Sequence, residues 1–570
     1  MNILFCVTNF GFLRNFQSTI ASLAARGHRI HLVTDRADTT GGMTMVADLT
    51  AAYPQITYEI SPPVRRRLWY AFTSVVRLTL DYWRYLEPRF TNAVQLRARA
   101  ERQVPRLAVW LVRLPVLRSA TGRRVLTRLL RGIERVIPVR AEVTDLLARQ
   151  NPDVLLVTPL LYFGSRQVEH IRAARAVGIP TILGVGSWDH LTTKGLIHEI
   201  PDYVAVWNEM QKAEAGELHG VSPERVIVTG AQAYDHWFDR RPSTTRAEFC
   251  GHVGLSADRP YLLYLCSSPF ITPHEVPFVR RWIEAVRASA SPAVSSVGIL
   301  IRPHPQNADQ WANVDVAVWR DVAIWPRAGS NPISASAKAE YFDSMFHSHA
   351  VVGVNTSALI ESGIVGRRVF SILADEFSAT QDGTLHFQHL KNVEGGLLRL
   401  AATMEEHTRQ IAESLEQAAA GDDRKVRGFV QAFVRPHGLD VAATPRLVDT
   451  IERIGAAGRR APQPTPPAVV AGRALAAPFA FAMMLASIER DRWWSWLLHI
   501  TRPPRLAWRA VSRFGANRVR GARRSARIGV HGTRRMLSDR SRAMRRLPRR
   551  LLRGSQAAAR RIRGDAANVE

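Results

Sequence analysis

The stretch Ile299-Leu300-Ile301-Arg302-Pro303-His304-Pro305 decides the fold prediction. Three aliphatic residues indicate the end of a buried strand, and the prolines cannot extend it because they lack the N–H that a central strand donates. Each proline also favours extended geometry at the residue before it, so Arg302 and His304 are predicted to lie on a stiff, kinked segment. In an open parallel sheet this strand end is the carboxyl edge, where ligands bind. The alternative is a surface turn that happens to contain a histidine.

Length and charge predict several folded units and two basic segments. A chain of 570 residues is long enough for roughly three or four domains. Its net charge of +28 is concentrated, because residues 61–140 hold 18 Arg and 4 acidic residues, and residues 459–570 hold 26 Arg and 5 acidic residues. The remainder is mildly acidic, so the high isoelectric point does not describe the chemistry of the body.

Cysteine usage and hydropathy are those of a globular chain. The three cysteines are Cys6, Cys250 and Cys266. They show no paired spacing and are predicted to be buried thiols of a reducing compartment. The N-terminal residues 1–7 lack a basic region and a cleavage site, so they predict a core strand and not a signal peptide. The longest apolar run, Ala474–Ile488, contains Pro478 and is predicted to be too short to span a bilayer.

The N-terminal segment predicts a βαβ unit. A strand over Ile3–Thr8 is followed by a loop, a helix over Phe16–Ala25 that ends at Gly27, and a second strand over Arg29–Thr34. This order is typical of the opening of a Rossmann-like sheet. No G-x-G-x-x-G follows the first strand, which argues against a dinucleotide-dependent dehydrogenase.

A polar stretch follows a later strand of the same predicted sheet. It reads Gly186-Ser187-Trp188-Asp189-His190-Leu191-Thr192-Thr193-Lys194-Gly195. Such a concentration of polar groups at a strand end is typical of a binding loop. Asp189 beside His190 could supply a general base, and Thr192 with Lys194 could bind a phosphate. The alternative is that Asp189 only caps the following turn.

A second sheet is predicted to begin with the strand Tyr261–Cys266. Ser267 and Ser268 follow it, ahead of a predicted helix. Their hydroxyl and backbone N–H groups are a plausible phosphate contact, although two serines alone are a weak signal.

The strongest companion of the His304 stretch is the apolar strand that begins at Ala350. Asn355, Thr356 and Ser357 follow it, and all three are favourable residues for the start of a helix. The unpaired N–H groups of that helix would point into the same crevice as His304. Glu361 lies one turn further on, where its carboxylate could accept hydrogen bonds from ribose hydroxyls.

A polar turn over residues 381–387 completes the candidate site. Gln381, Thr384 and His386 could supply donors to a sugar. By itself this turn would pass as a surface loop.

The two basic segments are predicted to bind an anionic membrane surface. In residues 61–140, helical stretches carry Arg on one side and Trp, Leu or Val on the other. The alternative for this insertion is a solvated helical region whose arginines have no function. Beyond a Gly/Pro-rich linker, tryptophans and arginines in the tail suit a lipid interface. A disordered basic tail and a nucleic-acid arm are the alternatives there.

His304-Pro305 and Thr356-Ser357, in this order and at strand ends, resemble the HP-motif branch of the GT-B glycosyltransferases. That branch includes bacterial sialyl-, polysialyl- and Kdo-transferases and CDP-glycerol glycerophosphotransferases. The resemblance covers roughly residues 1–455, and each motif alone is short and weakly specific. It implies that His304, Thr356 and Ser357 contact the phosphate of a CMP- or CDP-activated donor, with UDP a possible alternative.

The predicted fold class is therefore α/β, with two Rossmann-like domains, a basic helical insertion and a basic C-terminal helical tail. We predict an acceptor-side domain over residues 1–240, with the insertion at 61–140, and a donor-nucleotide domain over 241–455 that a helix at 444–454 closes. A linker follows at 456–470, and the Arg-rich amphipathic tail occupies 471–570.

The resemblance also implies a mechanism. A carboxylate deprotonates an acceptor hydroxyl, while His304, Lys194 or Arg302 stabilises the departing nucleotide phosphate. The donor nucleotide would contact Ser267, Ser268, Arg302, His304, Asn355, Thr356, Ser357 and Glu361. Phosphate or sugar contacts would come from Thr192, Lys194, Gln381, Thr384 and His386. Arg14 and Asn15 would lie on the acceptor-side loop, and the catalytic groups would be Asp189, His190 and His304.

Two departures from the resembled branch matter. No D/E-D/E-G motif occurs in the N-terminal half, so the general base has no direct counterpart and Asp189 is assigned by position. No D-x-D occurs either, which agrees with metal-independent chemistry without a cofactor.

The predicted function is transfer to a surface glycan or lipid-linked acceptor, on the inner face of a bacterial plasma membrane. The alternatives are a UDP-sugar 2-epimerase and a non-enzymatic nucleic-acid-binding protein, which the acidic body disfavours.

Overall fold

The computed structural model describes residues 1–36, 41–61, 68–417 and 423–501. A seven-stranded parallel sheet forms the N-terminal part. Its strands are β1 (Asn2–Val7), β2 (Arg29–Thr34), β3 (Ile56–Ile60), β4 (Val154–Thr158), β5 (Thr181–Gly184), β6 (Tyr203–Val206) and β7 (Val226–Val228). Their spatial order is β3-β2-β1-β4-β5-β6-β7. Strand β1 pairs with β2 and β4, so that Ile3 lies opposite Ile30 on one side and Val154 on the other.

A second parallel sheet follows in the chain. Its strands are β8 (Tyr261–Leu265), β9 (Gly298–Arg302), β10 (Val322–Ile324), β11 (Ala350–Gly353), β12 (Arg368–Ile372) and β13 (Leu398–Ala401). Their order is β10-β9-β8-β11-β12-β13. In both sheets the order reverses beside the first strand, at β1/β4 and at β8/β11, and open α/β sheets bind ligands at such switch points. The two sheets confirm the predicted α/β fold of two Rossmann-like domains.

Helices cover both faces of each sheet, which is why β1, β4, β8 and β9 are almost continuous runs of buried residues. The helices of the first half are α1 (Gln17–Ala25), α2 (Gly42–Ala52), α3 (Tyr70–Arg84), α4 (Val94–Glu101), α5 (Arg106–Val112), α6 (Pro115–Arg118), α7 (Ala120–Val136), α8 (Ala141–Gln150), α9 (Val168–Ala176), α10 (His190–Thr193), α11 (Glu209–His219) and α12 (Asp235–Phe238). Those of the second half are α13 (Arg246–Val253), α14 (Val276–Arg287), α15 (Pro292–Ser295), α16 (Ala335–Phe346), α17 (Ala358–Ile364), α18 (Leu385–Asn392), α19 (Met404–Leu415), α20 (Arg424–Phe433), α21 (Ala443–Ala456) and α22 (Pro467–Thr501).

The predicted insertion is helical from α3 to α7, but α3 is not a surface helix. Arg77 is fully buried and donates hydrogen bonds to Glu134 (3.0 Å) and to the carbonyl of Ser165 (2.7 Å). Arg84 is buried as well. The expectation that the arginines of this segment face a membrane or solvent is therefore wrong for α3. Its first residues, 62–67, lie outside the described part of the chain.

Helix α21 packs on the first sheet, so the prediction that it closes the second domain is wrong. Its buried residues Leu447, Val448 and Ile451 belong to the same apolar cluster as Ile3 and Phe5 of β1. Helices α1 and α21 are also joined by polar contacts, among them Ser18 with Thr444 at 2.9 Å and Arg26 with Asp449 at 2.7 Å. The chain thus returns to the first domain after it completes the second.

The predicted linker is docked along the first domain. Arg460 donates to Asp202 and to the hydroxyl of Tyr203, both at 3.0 Å, and its backbone N–H donates to the carbonyl of Gly178. Gly178 is required at this crossing, because an added Cβ would come within 2.1 Å of the Arg460 carbonyl oxygen.

Helix α22 corrects the hydropathy prediction for the C-terminal region. Residues Pro467–Ser487 have a mean hydropathy of 1.8, only 6% of this stretch is buried, and by length and composition it could cross a membrane. Arg473 and Pro478 do not end the helix, so the apolar segment is longer than predicted. At its start, Arg473 donates to the carbonyl of Val136 at the end of α7 (3.2 Å). The basic tail beyond residue 501 lies outside the described residues.

Candidate active site

The candidate site is a crevice where side chains that follow the strand ends of both sheets come together. Burial lowers the pKa of His304, which follows β9, and Arg14 in the 3-10 helix that follows β1 lowers it further. Arg14 also opposes the rise that burial causes in the pKa of Glu361 on α17. Trp188, after β5, packs edge-on against His386 of α18 with ring centroids 4.9 Å apart. The predicted acceptor-side and donor-side residues therefore share one space.

Asp189 and Lys194 form the charged centre of the loop after β5. The Asp189 carboxylate accepts hydrogen bonds from Ser187 Oγ (2.6 Å) and Thr193 Oγ1 (2.9 Å). Burial raises the pKa of Asp189, but Lys194, His190, His386 and the Ser187 hydroxyl outweigh it and hold the pKa well below its ordinary value. The Lys194 ammonium makes no hydrogen bond within the described chain.

His190 lies beside this pair as a neutral imidazole. Burial, assisted by Lys194 and Arg14 and opposed by Asp189, lowers the pKa of His190 to about 4. Its ring lies 6.1 Å from that of Phe12, and neither ring nitrogen has a hydrogen-bond partner among the described residues. A neutral imidazole with a free nitrogen can accept a proton.

Helix α3 holds this loop in place, a role that the sequence did not reveal. The guanidinium of Arg84 donates to the carbonyls of Leu191, Lys194 and Gly195, and the Tyr85 hydroxyl also donates to that of Lys194 (2.6 Å). Asp81 accepts from the backbone N–H of Leu196 (2.7 Å) and of Gly164 (2.7 Å) and from His198 (2.9 Å). These partners lie more than 80 residues apart in the sequence, so no local pattern could show them.

The His304 turn presents one ring nitrogen to the crevice. Its Nδ1 accepts the backbone N–H of Gln306 at 3.2 Å, which places the proton of the neutral ring on Nε2. Burial, followed by Arg14, lowers the pKa of His304. Arg302 is different, because it is buried, donates to Glu340 at 3.2 Å and stacks over the ring of Tyr341. His304 is therefore available as a donor, whereas Arg302 is mainly occupied inside the second domain.

Glu361 is a buried carboxyl on α17 of the second domain. Its carboxylate accepts a hydrogen bond from the Tyr341 hydroxyl at 2.6 Å. Burial raises the pKa of Glu361 to about 7, although Tyr341 and Arg14 oppose that rise. Thr356 accepts the backbone N–H of Ala358 (3.4 Å), and the exposed Ser357 makes no side-chain hydrogen bond at the start of α17.

Several predicted contact residues instead stabilise the second domain. Gln381 Nε2 donates to the carbonyls of Val354 and Ile372 and to Ser371. Other predicted contacts are used in the same way: Thr384 Oγ1 donates to the Gln381 carbonyl, Ser267 Oγ accepts the Asn355 N–H, and Asn355 Nδ2 donates to the Thr380 carbonyl. In the first domain, Thr192 Oγ1 donates to the Asp189 carbonyl. Their polar groups are consequently occupied in this structure.

Three further predicted residues, Ser268, Asn15 and His386, make other contacts near the crevice. The Ser268 carbonyl accepts the N–H groups of Ile271 and Thr272, and its hydroxyl makes no hydrogen bond within the described chain. The Asn15 carbonyl accepts from Gln232 at 3.2 Å. His386, whose pKa burial lowers to about 4, contacts Asn355 at 3.4 Å.

A buried pair joins the two domains beside the crevice and was not predicted. Glu214 of α11 contacts His389 of α18 at 2.5 Å, and burial raises the pKa of Glu214 despite this contact. Arg99 of α4 donates to the carbonyl of Thr193 and stacks over Phe270 of the second domain at 4.5 Å. Glu214 lies on a helix with an ordinary amphipathic sequence, which gave no signal of its role.

No protein-family profile and no curated protein matches this sequence. Among solved structures, the chain is similar to the UDP-GlcNAc 2-epimerase from Methanocaldococcus jannaschii, at 10% identity and a TM-score of 0.45 over 80% of this chain and 100% of that one. A glycosyltransferase from Rickettsia africae gives 9% identity and a TM-score of 0.45 over 80% and 98%. WaaG, a glycosyltransferase involved in lipopolysaccharide biosynthesis, gives 12% and 0.40 over 79% and 99%. The two parallel sheets fit a GT-B fold.

Proposed function

We propose that this protein is a nucleotide-sugar glycosyltransferase whose reaction takes place in the crevice between the two sheets. One observation carries the proposal. Arg14 and Lys194 bring two cationic groups to the strand ends of the first sheet, and neither side chain makes a hydrogen bond within the described chain, although Asp189 lies near enough to Lys194 to balance part of its charge. Cations with free hydrogen-bond donors, beside donors from the second sheet, are the arrangement that a nucleotide phosphate requires.

The donor phosphate would bind between the domains. Arg14 and Lys194 would neutralise its charge, and His304 Nε2–H with the Ser357 hydroxyl would donate hydrogen bonds to its oxygens. Bound phosphate would also offset the positive field that Lys194 and Arg14 exert on His190. The HP and Thr-Ser motifs favour a cytidine-type donor, and a uridine-type donor remains an alternative.

Acceptor deprotonation is assigned to His190 and not to Asp189. Both Asp189 oxygens accept hydrogen bonds, and its depressed pKa makes it a weak base. His190 is neutral at pH 7 and has a free nitrogen. Donor binding should raise the pKa of His190 from about 4 toward neutrality, because it adds negative charge beside the cations that depress it.

We propose a membrane-associated acceptor, a lipid-linked or surface glycan, because the chain exposes apolar surface next to basic residues. Trp110, Leu111, Val116, Val125 and Leu129 of the insertion are 40% to 76% exposed. Leu475, Phe479, Phe481 and Leu485 of α22 are 46% to 77% exposed. Association would be peripheral, on the inner face of the plasma membrane. Metal independence stays a prediction.

Epimerisation of a UDP-sugar is the second candidate, and Glu361 favours it. A carboxyl with a pKa near 7 on the donor side could exchange a proton with the sugar itself. An epimerase needs no acceptor, whereas the exposed surface of α22 supports a transferase.

Thermal stabilisation of the full chain by CMP, CDP, UDP and GDP tests the proposal. At a hundred times its dissociation constant, a nucleotide should add about 2.7 kcal/mol. We expect Arg14→Gln and Lys194→Gln each to weaken nucleotide binding at least about tenfold, since each removes a charge-assisted contact. The matched controls are Arg409→Gln and Lys212→Gln, which change partly or largely exposed residues on α19 and α11.

Stabilisation by no nucleotide would contradict the enzyme assignment and leave the nucleic-acid-binding alternative. If Arg14→Gln and Lys194→Gln bound nucleotide as tightly as their controls, the phosphate would not bind at Arg14 and Lys194. Turnover of a UDP-sugar to its epimer without added acceptor would replace the transferase with the epimerase. Release of free nucleotide that depends on added acceptor would support transfer.

A further inference from the structure

A basic cavity opens beside the crevice and is not used by the groups discussed so far. It has a volume of about 550 Å³ and lies between α2 of the first domain and α16 of the second. Its polar lining residues are Thr44, Asp48, Arg240, Arg241, Ser334 and Lys338. Three cations against one carboxylate give it a net positive charge.

Two of these cations keep their hydrogen-bond donors for a ligand, although the Arg240 guanidinium lies over the ring of Phe342 at 6.0 Å. The side chains of Arg240 and Lys338 form no hydrogen bond or ion pair with other residues that the structure describes. Arg241, by contrast, donates to the carbonyls of Phe238 (3.3 Å) and Arg240 (3.0 Å). Both cations act on the same neighbour, His236, so their charges add within the cavity and a bound anion would relieve their mutual repulsion.

The electrostatics of a neighbouring side chain show where the field of these cations extends. Burial, followed by Arg240 and Lys338, lowers the pKa of His236 to about 4, with Asp235 opposing. The first turn of α16 also lines the cavity, and Ser334 caps it by accepting the backbone N–H of Ala337 at 3.2 Å. The positive end of this helix adds to the same field.

The cavity is linked to the His304 turn by the segment that follows β10. Gly329 packs against that turn, since an added Cβ would lie 2.9 Å from Pro305 Cα. Further along, Ile333 reaches across to the first domain, where an added Cβ on Gly41 would lie 3.1 Å from Ile333 Cδ1. The cavity thus lies where both domains meet, on the side of the crevice that His304 borders.

We infer that this cavity binds an anionic group of the acceptor, a phosphate ester or a carboxylate, while the acceptor hydroxyl reaches the crevice. The inference rests on the proposed transferase function. Arg240 and Lys338 would bind the anion through their charges, and Thr44 and Ser334 would supply hydroxyl groups. Neutral acceptors would lack these contacts, so the cavity would select for charge.

Lysine labelling tests this inference, because the chain has only five lysines and each can be followed by mass spectrometry. Acetylation rates of the full-length protein would be measured with glycerol 3-phosphate, glucuronate or glucose at constant ionic strength. We expect an anion to slow labelling of Lys338 at least about fivefold and glucose to leave it unchanged. The internal control is Lys212, on α11 outside the cavity, whose rate should not change. Protection by only one of the two anions identifies the source of the charge.

Arg240→Gln supplies a second measurement that does not depend on the labelled residue. It should raise the anion concentration needed for protection about tenfold, because it removes one charge-assisted contact. Arg409→Gln should leave that concentration unchanged. The inference would be overturned if neither anion protected Lys338, or if labelling of Lys338 and Lys212 slowed equally.

Nucleotide stabilisation of the same samples separates the two ways of failing. Arg240→Gln and Lys338→Gln should keep the full stabilisation by nucleotide, since neither residue lines the crevice. Nucleotide binding without protection of Lys338 would overturn the anion site alone. Protection of Lys338 without nucleotide binding would overturn the acceptor assignment together with the proposed function.

Discussion

At the scale of single residues, the neighbours Asp189 and His190 have opposite electrostatic roles. Asp189 is held ionised by Lys194 and by two hydroxyl donors, so it fixes the loop and balances one positive charge. His190 is held neutral by burial and by the nearby cations. The position of a carboxylate at a strand end thus does not make it the base, because its hydrogen bonds decide how readily it takes a proton.

His190→Ala should lower the rate of sugar transfer by about a hundredfold or more, since it removes the proton acceptor. Nucleotide affinity should stay within about twofold of the unchanged protein, because His190 contacts no predicted phosphate position. The measurements are kcat with a nucleotide-sugar donor and thermal stabilisation by nucleotide. His252→Ala, at an exposed site on the second domain, is the matched control. A comparable rate loss in Asp189→Asn with unchanged nucleotide affinity, and none in His190→Ala, would reverse the assignment.

Glu361 should make stability fall with rising pH. Its folded pKa of about 7 lies above its ordinary value of 4.5, so the folded state binds this proton more tightly than the unfolded state does. The resulting stability is complete below about pH 4.5 and is lost as pH rises through 7. Glu361→Gln should therefore lose less stability than the unchanged protein between pH 5 and pH 8, by on the order of 2 kcal/mol.

Unfolding in urea at pH 5 and at pH 8 measures this difference. Burial raises the pKa of Glu275 to about 8, so Glu275 titrates over a pH range that overlaps that of Glu361. Only the difference in pH dependence between the variant and the parent protein therefore reports on Glu361. Identical pH dependence of the two proteins would show that Glu361 is already ionised at pH 5 in the folded state.

At the scale of elements, α3 of the insertion determines the shape of the site. Arg84→Met should leave the buried carbonyl of Gly195 without its donor, at a cost of about 1–3 kcal/mol. It should also remove one of the two donors to the carbonyls of Leu191 and Lys194, which keep His219 and Tyr85. We expect a loss of at least about 2 kcal/mol in stability and a nucleotide affinity at least tenfold weaker. Arg89→Met, one turn beyond the end of α3 and 42% exposed, is the control. Unchanged nucleotide binding in Arg84→Met would show that the loop keeps its shape without α3.

The sequence predicted buried strands better than edge strands and long-range contacts. Residues 29–34 were predicted with their observed bounds, because aliphatic and β-branched residues that follow a helix-ending glycine are typical of a strand. The short or exposed strands β3, β10 and β13 carry little such signal and were missed. The apolar face of α21 predicted a packed helix but not which sheet it packs on, since both sheets offer similar surfaces.

For the candidate site too, the sequence indicated strand ends but not long-range contacts. Strand ends predicted that Arg14, His304, Lys194 and Glu361 border one crevice, because the carboxyl edges of parallel strands gather at switch points. Residue type alone could not show that the polar groups of Gln381 and Asn355 form hydrogen bonds within the second domain. It also could not show the contacts of Asp81, Arg84 or Glu214, whose partners are distant in the sequence.

At the scale of the whole molecule, the described chain combines an acidic, enzyme-like body with a basic, apolar periphery. The insertion and α22 meet where Arg473 contacts Val136, so the exposed apolar residues of both elements belong to one compact unit. Apolar side chains beside arginines bind lipid bilayers that contain anionic headgroups. The acceptor would then be carried by the surface on which the enzyme sits.

The full-length protein should therefore sediment with vesicles that contain anionic lipid and much less with neutral vesicles. Leu475→Asp with Phe479→Asp should weaken this binding at least about tenfold, since both side chains are largely exposed and would place charge in the bilayer. The control pair Glu405→Gln and Arg409→Gln changes residues on α19 and should have no such effect.

Extraction at alkaline pH then separates a peripheral from a spanning α22: release supports the peripheral arrangement, and retention in the membrane pellet contradicts it. Equal sedimentation of the parent and the Asp variant would show that α22 does not contact lipid, and the acceptor would then have to be soluble or bound through the insertion alone.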